Sequence, residues 1–64
     1  MTAEDELYLR AEINGMKQDH SYMIAEYLDA KDKRIRSQPW KDIADRTKAR
    51  YERLEKLIGS GLLL

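Results

Sequence analysis

Ser37-Gln38-Pro39-Trp40 divides the 64-residue chain into two stretches of helical periodicity, and few folds accommodate that arrangement. Upstream, Leu9, Ile13, Met16, His20, Met23, Tyr27 and Ala30 recur at alternating spacings of four and three. Downstream, Trp40, Ala44, Thr47, Tyr51, Leu54 and Ile58 repeat the pattern. Residues so spaced share one face of an α-helix. Two such faces joined by a short break close on each other as an antiparallel helical hairpin, with these residues as its seam.

The choice of residues supports an all-α fold. Val and Phe are absent and only two Thr occur, so strands would have little beyond five Ile, four Tyr and one Trp to draw on. Thr2 can cap a first helix, with Asp5 three residues later in capping-box spacing and Glu4, Asp5 and Glu6 beside the positive end of the helix dipole. That helix is expected over about 3–36, its last turns holding Lys31, Lys33, Arg34 and Arg36. Asn14-Gly15 favours a turn, but the apolar spacing passes through it in phase, which argues for a continuous helix.

Residues 37–39 form the expected turn, because the residue before proline avoids helical angles. A second helix follows over about 40–58, with Gly59 as its C-terminal cap and 59–64 as a tail ending in Leu62-Leu63-Leu64. The whole reads as one domain.

The expected helices are unequal, about 50 Å against about 30 Å at 1.5 Å per residue. An overhang around Leu7, Leu9, Ile13 and Met16 is left without an intrachain partner. A domain of this size buries only about 60% of its unfolded surface, and a chain without cysteine has no disulfide to staple it. Two copies covering each other's overhang as a homodimeric four-helix bundle answer both problems.

The net charge is zero but unevenly spread. Residues 1–30 hold seven acids and two bases, and residues 31–64 hold five acids and ten bases, a net of −5 against +5. An acidic helix beside a basic one explains this without a polyanionic ligand. No stretch has the ~20 apolar residues of a membrane span, and the N-terminus is acidic where a secretory leader is basic, so a cytoplasmic protein is expected.

Nothing in the chain has the pattern of a catalytic, cofactor or metal site. His20 is the single histidine and falls within the seam, where a polar group that sets register is the plain reading. Ser21, Ser37 and Ser60 lack a nucleophile-elbow context, and Glu26, Asp29 and Asp32 read as a solvated helix face. There is no phosphate-binding glycine loop.

The expected activity is therefore non-enzymatic: binding to a larger protein as a regulator, adaptor or inhibitor. Tyr8 and Tyr22 fall off the seam and are candidate contacts, as are the basic cluster Lys31, Lys33, Arg34 and Arg36 and the leucines 62–64. The alternative is nucleic-acid binding, either as an RNA-binding helical hairpin or with 40–58 as a helix-turn-helix directing Lys48, Arg50 and Arg53 at phosphates. A structural subunit of a larger assembly is a third class.

Overall fold

The computed structural model describes residues 2–60, and they form two helices packed against each other. Helix α1 spans Ala3–Asp32 and helix α2 spans Gln38–Ser60, of 30 and 23 residues. The tail leucines 62–64 lie outside the described residues. The hairpin is a rod of 47 × 16 × 12 Å. Its radius of gyration, 14.7 Å, exceeds the roughly 11 Å of a compact chain this long, so the molecule has much flank and little interior.

Helix α1 begins at Thr2, whose hydroxyl accepts a hydrogen bond from the Asp5 amide at 3.1 Å. That bond satisfies one of the amides a helix start leaves without partners. The helix then runs through Asn14-Gly15 without a break.

Both ends at the turn differ from the sequence expectation. Helix α1 stops at Asp32 instead of about Arg36, because the chain reverses hand at Arg34, where φ is +59°. The Ile35 amide donates to the Ala30 carbonyl at 2.9 Å and the Arg34 amide to the Lys31 carbonyl at 3.2 Å. These two bonds make a Schellman motif, with arginine in the left-handed position that glycine usually fills. No glycine announced the stop, so the sequence reading ran past it.

Helix α2 begins earlier than expected, at Gln38, and continues through Gly59 to Ser60. The Ser37 carbonyl accepts from the Trp40 amide at 3.1 Å and the Lys41 amide at 3.4 Å. Pro39 falls in the first turn, where its missing N–H costs nothing. Gly59 follows the half-buried Leu57 and Ile58 and stays helical, so it is not the terminal cap that the sequence suggested. The turn therefore occupies 33–37, not 37–39.

These shifts shorten the overhang. With α1 shorter and α2 longer, Ile13 is 4% exposed and Met16 half-buried, so both are covered within the chain. Only the first turns project, where Leu7 is 70% and Tyr8 69% exposed and Leu9 half-buried.

The seam itself is thinly covered. Among the described residues only Ile13, Ala30 and Ala44 are buried. Met16, His20, Met23, Tyr27, Trp40, Thr47, Tyr51, Leu54 and Ile58 all lie on it half-buried. Two helices touch along a line, so each large seam residue keeps one side toward solvent.

Candidate docking surface

The two flanks of the seam are built differently. Along one edge of α1, Arg10, Lys17, Ile24 and Lys31 recur every seven residues, and along one edge of α2 so do Lys41, Lys48 and Glu55. These edges meet. The Lys17 ammonium bridges the Glu55 carboxylate at 2.7 Å and lies 5.7 Å from the Tyr51 ring centre. Lys31 and Lys41 both lie over the Tyr27 ring, at 5.5 and 6.0 Å. The stems of these lysines shelter the seam tyrosines while the ammonium groups stay wet. These contacts close the flank, apart from a hollow away from the turn lined by Arg10, Ile13, Asn14, Lys17, Glu55, Ile58 and Gly59.

The opposite edges are Asp5, Glu12, Asp19 and Glu26 on α1, and Ile43, Arg50 and Leu57 on α2, again seven residues apart. Among the described residues no salt bridge crosses this second flank. Its floor includes Met23 and Thr47, whose hydroxyl donates to the Met23 sulfur at 3.5 Å. Trp40 reaches over from the start of α2 to Tyr22, with ring centres 6.0 Å apart and planes at 80°. Tyr22 is 60% and Ile43 43% exposed beside it. This flank is open and apolar along its centre.

The sequence places Tyr22 and Trp40 in separate roles, one as an exposed contact and the other as seam. Here they form one patch, which Ile43 extends. Ile43 was missed; its signal was the Trp40-Ile43-Thr47 spacing of three and four, which places it beside the seam residues on one side of α2. Leu28 and Ile35, 56% and 60% exposed, also stand outside the predicted seam.

The basic turn does not converge on a common point. Lys31 is engaged with Tyr27, and Lys33 bridges Asp29 at 3.0 Å, which raises its pKa above the usual lysine value. Arg34 and Arg36 are exposed. Lys17 is likewise held above the usual value, chiefly by its hydrogen bond to Glu55. His20 and Tyr51 form a T-shaped ring pair, with centres 5.9 Å apart, within the seam.

Helix α2 is unbroken through Lys48-Ala49-Arg50, so 40–58 is not a helix-turn-helix. Lys48 lies on the closed-flank edge and Arg50 on the open one, with Arg53 beyond it, so the three do not form one basic face. One surface hollow is lined by Ala49, Glu52, Arg53, Glu55 and Lys56, all exposed and all from one helix. One helix face cannot surround a small molecule. No group of three or more metal-binding side chains clusters among the described residues, and no helix there is long and apolar enough to cross a membrane. Comparison with protein-family profiles, with curated proteins and with solved structures found no match.

Proposed function

We propose that this chain is a non-enzymatic protein–protein interaction module, which pairs with a second copy as a four-helix bundle and binds a larger protein as a regulator, adaptor or inhibitor. One observation carries this reading: with three buried residues among those described and a seam of half-buried Met, Trp, Tyr and Leu side chains, the hairpin leaves its best apolar surface uncovered. A helical pair of this size is marginal by itself, and another protein surface supplies the missing contact area.

The larger partner meets what the bundle leaves outside. Leu7 and Tyr8 on the projecting first turns, together with Arg34 and Arg36 at the other end, are the candidate contacts. Tyrosine and arginine are enriched at protein interfaces, which supports that choice.

The test is affinity capture from the native host at moderate salt, run in parallel with a Leu7→Ser/Tyr8→Ser variant and an Arg34→Ser/Arg36→Ser variant. A protein retained by the parent chain and lost from either variant is the expected result. Retardation of DNA or RNA at low salt, with no protein captured, would turn the assignment toward nucleic acid.

A further inference from the structure

We infer that the open flank is a self-complementary dimer interface, in which the acidic edge of α1 in one copy lies against the arginine-bearing side of α2 in the other. The inference rests on the interaction-module reading above and specifies the self-pairing within it.

Three observations lead there. First, the flank is apolar at its centre: Met23, Trp40 and Leu54 are half-buried and Tyr22 and Ile43 exposed, and among the described residues no ion pair closes it. The other flank is bridged by the Lys17–Glu55 ion pair and by Lys31 and Lys41 over Tyr27. Second, the two rims carry opposite charge. Glu12, Asp19 and Glu26 line the α1 side, and Arg46, Arg50 and Arg53 stand on the corresponding side of α2. None of these six makes a salt bridge to another described residue, so their charges are available to a neighbour.

Third, the register fits. Lys17 pairs with Glu55 and Met23 with Thr47, so each step forward on α1 is about one step back on α2. Asp19 therefore lies level with the interval between Arg50 and Arg53, and Glu26 within about one turn of Arg46. A two-fold axis parallel to the helices leaves these heights unchanged while placing α1 of each copy over α2 of the other. Every neighbouring pair of helices is then antiparallel, as in an up-down four-helix bundle. Both acidic rims meet arginines, and the Tyr22–Trp40–Ile43 patches lie in the same interface.

The other simple closure fails on charge. A two-fold axis perpendicular to the helices stacks α1 on α1, setting Glu12, Asp19 and Glu26 against their own copies. Like charges so juxtaposed repel, whereas the parallel axis sets both rims against charges of opposite sign.

The test uses the full chain and reads solution mass by sedimentation equilibrium, with helicity by circular dichroism alongside. The parent should weigh twice its 7.6 kDa chain mass. Asp19→Lys/Glu26→Lys should weaken self-association by roughly 100-fold, and so should Arg46→Glu/Arg50→Glu, since each places like charges across both rims. Combining all four substitutions in one chain restores opposite charges and should restore the dimer; this also separates a lost interface from a failure to fold. A helical monomeric parent, a larger oligomer, or a dimer indifferent to both reversals would overturn the inference. So would a quadruple variant that stays monomeric. Capture of a larger partner by a monomeric parent would refute the pairing but leave the binding of a larger protein standing, so the two failures are distinguishable.

Discussion

Tyr22 and Trp40 meet edge to face with ring centres 6.0 Å apart, which ties the middle of α1 to the first turn of α2. An edge-to-face pair of this kind contributes about 0.5–1.5 kcal/mol beyond the area it covers.

A double-mutant cycle measures that coupling. Trp40→Ala should cost about 2–3 kcal/mol, less than a fully buried tryptophan because the ring is half-exposed. Tyr22→Ala should cost about 1 kcal/mol or less, and the double variant should be milder than the sum by the coupling energy. Urea unfolding followed by circular dichroism reads all three. Strict additivity would mean the rings do not interact.

Arg34 sits at φ +59°, closing the Schellman motif at the end of α1. A residue with a Cβ pays roughly 1 kcal/mol there, whereas glycine does not. Arg34→Gly should therefore stabilise the protein by about 0.5–1 kcal/mol after allowance for the freer unfolded chain. Arg34→Ala should give no such gain, which separates backbone strain from lost charge. Thermal melts of the two variants beside the parent decide it.

That arginine also explains what could be read from the sequence. The alternation of four and three from Leu9 to Ala30 and from Trp40 to Ile58 located the seam, because helix periodicity is written in side-chain chemistry. The stop at Asp32 was not written that way. A non-glycine residue in a left-handed conformation has no compositional signature, and Lys31, Lys33 and Arg36 look like ordinary helix. Gly59 misled in the opposite sense, since a glycine late in a helical run resembles a cap whether or not the helix ends there. The charge asymmetry between halves was legible. That Glu12, Asp19 and Glu26 share a side of the seam with Arg50, and Lys17 and Lys31 share the other with Lys41, needed the Lys17–Glu55 and Lys41–Tyr27 contacts to fix which edges meet.

Gly15 lies inside α1 with open space where a Cβ would stand, nothing being within 4 Å. Its helical angles suit any residue, and glycine there only adds freedom to the unfolded chain. Gly15→Ala should raise stability by about 1 kcal/mol and leave the solution mass unchanged. A loss of stability would show that something approaches the backbone at this point. Denaturant midpoints at two protein concentrations separate the folding effect from any change in association.

The Lys17–Glu55 bridge, 2.7 Å long, gives stability a definite pH dependence. The Lys17 ammonium is held above the usual lysine value in the folded chain, first by its hydrogen bond to Glu55 and further by the Glu55 charge. The folded state thus binds this proton more tightly than the unfolded state does. Its contribution is fully present below the unfolded lysine value and disappears as pH rises through the higher, folded one. Lys17→Gln removes the bridge at every pH. The stability gap between parent and variant should hold steady from neutral into mildly alkaline solution, then narrow as the ammonium deprotonates. Both side chains are substantially exposed, so added salt should shrink the neutral-pH gap as well. Paired thermal melts across the alkaline range test this, and a gap that widens with pH would contradict the assigned role of the bridge.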